Sequence, residues 1–142
     1  AAILFYLAEK TGRFFPADPR TRAKVYEWVG VVSSDIGPAY SGQFAFNVIA
    51  PEKIPFAIQF YDKLCARMVQ TLEVRLGQAP YLAGDEYTIA DISMLGWVRN
   101  LVGFYGAREL VEFDGLKEVP AWLERGLARP AVQRGLNIPQ RP

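Results

Sequence analysis

The stretch Tyr81-Leu82-Ala83-Gly84-Asp85-Glu86-Tyr87-Thr88-Ile89-Ala90-Asp91-Ile92 constrains the fold more than any other part of the chain. Thr88 stands where a helix N-cap is wanted, with a hydroxyl able to accept a first-turn backbone N–H. Asp91, at the third helical position, can reach back to the N–H of Thr88, which completes a capping box. Tyr87 and Ile92 are spaced as the hydrophobic staple that accompanies such a box. From Ile89 to Tyr105 the chain is apolar on nearly every face, with Asp91, Ser93, Arg99 and Asn100 as the clear polar exceptions. A helix of that composition belongs in the middle of a core. The box alone is common and says only that a helix starts at Ile89; Thr88 and Asp91 are therefore read as folding residues.

The rest of the chain reads as further helices. A first helix over Ala1 to Lys10 ends at Gly12, a natural C′ residue. The linker that follows, residues 13–18, carries Phe14 and Phe15, so it is expected to pack down. Asp18-Pro19 reads as N-cap and first helical residue of a second helix through Val25, Trp28, Val29 and Val32. Gly37-Pro38 should kink that helix, because Pro38 removes a donor and crowds the preceding turn; the helix can resume through Tyr40 to Phe46. A third helix starts near Ile54, its apolar stripe running through Ile58, Tyr61, Cys65, Met68, Leu72 and Leu76. The capped helix comes next, loosened at its end by Gly103 and Gly106. A fifth lies around Leu116 to Leu127, and a sixth starts at Pro130. No alternating β-branched run appears. The expected fold is an all-α helical bundle of six segments.

Composition narrows the chemistry. The chain has 142 residues, 51% of them hydrophobic, which suits one domain with a proper core. Its net charge of +1 gives no electrostatic case for nucleic acid, and Arg13, Arg20, Arg22 and Lys24 are interleaved with Asp18 and Glu27. No apolar run reaches the ~20 residues of a membrane span. There is one cysteine and no histidine, so serine–histidine and cysteine–histidine catalysis cannot be built here and no metal site is expected. The lone cysteine also excludes an internal disulfide and suggests a reducing compartment.

Cys65 is the obvious nucleophile candidate, yet it sits on the apolar stripe of the third helix without a histidine partner. Packing explains it better than redox chemistry. Tyr40, Ser41, Gln43 and Phe44 follow the expected kink, where freed backbone groups and open space favour a pocket. Gly42 permits close approach, Tyr40 offers a phenol and Gln43 an amide. Packing suits Phe46 better, and Trp28, Val29, Val31 and Val32 suit either core or a subunit interface.

The motif Tyr81-Leu82-Ala83-Gly84 followed by Tyr87-Thr88-Ile89-Ala90-Asp91-Ile92 resembles the start of the core helix in the C-terminal helical domain of glutathione transferases. Ala2-Ile3-Leu4-Phe5-Tyr6-Leu7-Ala8-Glu9-Lys10-Thr11-Gly12 is similar to the last helix of that family's thioredoxin-like domain. Trp122-Leu123-Glu124-Arg125 and Ala128-Arg129-Pro130-Ala131-Val132 resemble its closing helices. Gly37-Pro38, Gly42-Gln43 and Ala50-Pro51-Glu52-Lys53-Ile54-Pro55 resemble the bacterial nu-class branch, which includes disulfide-bond reductases. The resemblance implies a remnant helix over 1–12, a linker over 13–18 and a helical domain over 19–142. It implies glutathione as co-substrate, a small electrophilic or disulfide substrate, a homodimer, and a cytoplasmic location. The thiol-activating residues would lie in a thioredoxin-like domain preceding this chain, leaving this part inactive by itself. The Tyr40–Phe44 region would face the inter-domain cleft, on the side where the first helix enters. Phe60 departs from the nu-class pattern, in which an arginine beside the tyrosine matching Tyr61 reaches glutathione; this puts the disulfide-reductase subtype in doubt. A non-enzymatic dimerisation or scaffolding module of the same fold is the alternative.

Overall fold

A computed structural model describes residues 1–138. The helices are α1 (Ala2–Thr11), α2 (Pro19–Val31), α3 (Gly37–Phe44), α4 (Pro55–Leu76), α5 (Ile89–Val102), α6 (Glu118–Leu127) and α7 (Pro130–Leu136). A single 3-10 turn, Phe113–Gly115, lies between α5 and α6, and no named strand occurs among the described residues. Two π-helical turns, Val32–Ile36 and Ala45–Ile49, join α2 to α3 and extend α3. With them, residues 19–49 form one continuous helical path, so the chain makes six helical segments, as the sequence implies.

Local chemistry sets the boundaries. Gly12 closes α1 in the left-handed conformation, with φ 63°. Asp18 caps α2, its carboxylate accepting from the Thr21 N–H at 2.8 Å. The expected kink takes the form of a wide turn. The Gly37 N–H donates to the Val32 carbonyl, five residues back, immediately before Pro38. Widening that turn moves the preceding carbonyls away from the proline ring, and the helix continues through Pro38.

α5 lies at the centre, packed by α1, α2, α3 and α6. Met94, Val98 and Leu101 on α5, Val69 and Leu72 on α4, and Trp122 on α6 are all buried in one core. α4 packs on α3 and α6. The linker is held as expected: the Ile89 N–H donates to the Phe14 carbonyl at 2.9 Å, and the Phe15 ring meets Phe5 edge-on at 5.6 Å. No helix among the described residues is long and apolar enough to cross a membrane.

Candidate functional site

The capping box forms. Thr88 Oγ1 accepts from the Ala90 N–H at 3.3 Å, and Asp91 Oδ2 accepts from the Thr88 N–H at 2.9 Å. The second carboxylate oxygen does more than the motif requires. Asp91 Oδ1 accepts from the Leu82 N–H at 3.1 Å and from the Trp122 indole N–H at 2.9 Å. Burial pushes the Asp91 carboxyl up, against hydrogen bonds from Thr88, Leu82 and Trp122 that pull it down, and the balance stays above the ordinary value. Asp91 is thus the pin between the α5 N-terminus, the preceding loop and α6.

The expected surface pocket after the kink is corrected for two of its members. Tyr40 is 0% exposed and Gln43 is 4% exposed. Ile36, Tyr40 and Gln43 recur on one face of the helical path, and that face is turned into the core. The Tyr40 hydroxyl and Gln43 Oε1 have no hydrogen-bond partner among the described residues, and desolvation, with the neighbouring Cys65, raises the Tyr40 phenol well above its usual value. Ser41 is exposed and Phe44 half-buried, so the four residues do not converge on one opening.

Phe44 finds partners that sequence reasoning did not supply. Its ring stacks on Tyr105 at 4.5 Å and meets Phe104 at 5.2 Å, joining the end of α3 to the segment after α5. Phe104 is largely exposed, so this cluster is an aromatic wall with one open edge. Phe46 projects to another cluster and stacks on Tyr61 at 5.4 Å. The intervening π-helical turn is held by Asn47, whose amide donates to the Gln43 carbonyl at 3.1 Å and to Asp62 at 2.9 Å.

Cys65 is buried with its thiol donating to the Ala39 carbonyl at 3.5 Å, and burial pushes its pKa up to about 12. A thiol held protonated is a poor nucleophile. Among the described residues no group of His, Cys, Asp and Glu is arranged to hold a metal ion. A groove of about 370 Å³ runs between α5 and α7, lined by Phe14, Tyr87, Ile92, Leu95 and Val132. The Arg129 guanidinium stacks over Tyr87 at 4.0 Å, and the buried Tyr87 phenol is pushed up to about 12.

The fold has known relatives. Residues 55–125 match the glutathione S-transferase C-terminal domain. The chain is 38% identical to the disulfide-bond oxidoreductase YghU of Escherichia coli over 94% of its length, and 36% identical to YfcG of the same organism over 95%. It covers 47% and 60% of those two proteins, so it spans about half the length of these curated relatives. Among solved structures, it superposes with a TM-score of 0.95 on a glutathione transferase from Burkholderia graminis that has two glutathione molecules bound per subunit. That pair is 39% identical, covering 99% of this chain and 60% of that one. A glutathione transferase from Pseudomonas putida with one glutathione disulfide bound per subunit gives a TM-score of 0.92 at 39% identity, over 97% of this chain and 60% of that one. The all-helical fold, the capped central helix and these identities define a glutathione transferase C-terminal domain. The chain belongs to the glutathione transferase family.

Proposed function

We propose that this chain is the helical half of a glutathione-dependent enzyme. It supplies the apolar wall of the substrate site and the subunit interface, while residues outside residues 1–142 bind and activate the glutathione thiol. The observation that carries the reading is the Phe44–Tyr105–Phe104 wall, open at Phe104, on a domain of this family. Aromatic faces suit a hydrophobic electrophile or an organic disulfide. Two relatives named as disulfide-bond oxidoreductases and two neighbours holding glutathione or its disulfide support glutathione as co-substrate. Thiol activation requires a lowered thiol pKa, whereas burial raises the pKa of both Cys65 and Tyr40. A homodimer and a cytoplasmic location belong to this reading, the latter fitting a single buried, unpaired cysteine. On this reading Ser41 lies at the rim, with Tyr40 and Gln43 behind the wall. One observation favours a scaffolding module instead: Tyr40 and Gln43 face the core and offer nothing to a ligand from solvent.

A chimera separates the two. The chain alone is expected to conjugate glutathione to an aromatic electrophile no faster than buffer. Joined behind the N-terminal half of YfcG, it is expected to turn over glutathione with an electrophile or a disulfide. Phe44→Ser and Phe104→Ser should then raise KM for the apolar substrate severalfold while leaving kcat nearly unchanged. A folded chimera that binds glutathione but shows no turnover would leave scaffolding as the function.

A further inference from the structure

The groove between α5 and α7 holds about 370 Å³, within the roughly 300–1,000 Å³ of small-molecule sites. On α5, Ile92, Leu95, Gly96 and Arg99 recur at the spacing of one helix face and line it. On α7, Val132 and Leu136 stand one turn apart with Gly135 beside them, and line the other side. Two glycines leave the middle open: a Cβ built at Gly96 or Gly135 would meet nothing within 4 Å. The α5 wall is firmly seated, because Leu95 packs onto Gly126 of α6, where an added Cβ would collide with a leucine methyl. None of these residues belongs to the Phe44–Phe104–Tyr105 wall.

Charge narrows what such a groove can take. The charged residues that line it are Arg99 and Arg129, and no carboxylate lines it among the described residues. Neither guanidinium is in an ion pair among the described residues. They stand at opposite ends. Arg129 lies over Tyr87, just before the N-cap of α5, whereas Arg99 is seven residues past Ile92, about 10 Å further along the helix. The Arg129 end is the better prepared. Stacking over the Tyr87 ring at 4.0 Å fixes the guanidinium plane and leaves its edge N–H groups for a ligand. Arg13 adds a second cation there, 4.9 Å over the Phe14 ring against 5.9 Å for Arg129. Glu86, the acid beside Tyr87, lines a different opening. A planar fork with free edge donors matches a carboxylate bidentately, and the apolar walls beyond it match a hydrocarbon tail.

We propose that the α5–α7 groove binds an amphipathic monocarboxylate, its head on Arg129 and its apolar tail laid past Gly96 and Gly135 toward Leu136. The readout is a heat of binding, which can be absent without touching the enzyme reading. Decanoate titrated into the chain should bind at a single site. Decanol should bind roughly tenfold or more weakly, the worth of a hydrogen bond to a charged group. Arg129→Gln should bring decanoate down to the level of decanol and leave decanol unchanged. Arg99→Gln, at the tail end, should weaken decanoate less. Gly96→Leu should abolish binding of both while the urea midpoint holds or rises, since leucine favours a helix over glycine. Phe44→Ser should leave both affinities alone, and the YfcG chimera should bind decanoate as the chain does. No decanoate binding, equal affinities for decanoate and decanol, binding that survives Gly96→Leu, or binding that falls with Phe44→Ser would overturn the proposal. So would loss of decanoate binding in a folded chimera, which would make the groove a seat for the other half of the protein.

Discussion

Asp91 shows how much one carboxylate can hold when it is fully buried and fully bonded. Its two oxygens satisfy the backbone N–H groups of Leu82 and Thr88 and the indole of Trp122, itself 0% exposed. Thr88 is bonded more simply, its hydroxyl accepting one backbone N–H and donating to Oδ2 of Asp91 at 3.3 Å. The two substitutions should therefore differ. Thr88→Ala loses a cap and should cost about 1 kcal/mol. Asp91→Ala leaves four buried donors unpaired, each worth about 1–3 kcal/mol, and should cost about 3 kcal/mol or more. Asp91→Asn should also destabilise, because its amide presents N–H groups to N–H groups whichever way it is turned. Urea midpoints measure all three, and equal losses for Thr88→Ala and Asp91→Ala would show that Asp91 does no more than cap α5. The box itself was legible in the sequence, since its members are three residues apart. The bond to Trp122 was not, because it spans 31 residues and indole donors leave no local pattern.

At the scale of elements, α6 is capped from outside. No side chain of its own N-terminus serves as a cap, and the helix instead borrows Glu73 from α4. The Glu73 carboxylate accepts from the N–H groups of Lys117 at 2.8 Å, Glu118 at 2.9 Å and Val119 at 2.8 Å. Burial works to raise its pKa, but the hydrogen bonds from Glu118, Val119 and Lys117 outweigh it and hold Glu73 below the ordinary 4.5. A carboxyl lowered by folding contributes stability that is present above its unfolded value and lost as pH falls through the folded one. Stability should thus fall below about pH 4.5 in part through this group, and Glu73→Gln should flatten that part of the acid limb while lowering the neutral-pH urea midpoint. An unchanged acid limb would mean that α6 does not depend on the α4 carboxylate. Such a cap cannot be read from sequence, because Glu73 and Glu118 stand 45 residues apart. Helix starts at Pro19, Ile89 and Pro130 were legible from local chemistry. Tyr40 and Gln43 are buried where a pocket is expected, because polarity alone does not set the side on which Gln43 lies. Its register with Ile36 and Tyr40 places it on the core face, and that periodicity decides burial.

Across the whole molecule, one core couples these local devices. Val69 and Leu72 on α4, Met94 and Val98 on α5 and Trp122 on α6 share it, and Cys65 lies in it at 0% exposure. The thiol is sealed between α3 and α4, bonded to the Ala39 carbonyl and pushed up to about 12 by burial. A probe can therefore reach it only when the α3–α4 contact opens, and if the bundle unfolds as one unit that opening is global. Labelling of Cys65 by a thiol reagent should be slow in the native state and fast in urea. It should also report stability lost elsewhere: Asp91→Ala, although its side chain sits in the capping box of α5, should accelerate native labelling by roughly tenfold for each 1.4 kcal/mol it costs. Phe60→Lys, on the exposed edge, should leave the rate unchanged. Labelling that is rapid in the wild type would place Cys65 at an accessible face. Labelling that is slow but indifferent to Asp91→Ala would mean that α3 and α4 open independently of the capped central helix, and the molecule would then be two cooperative units.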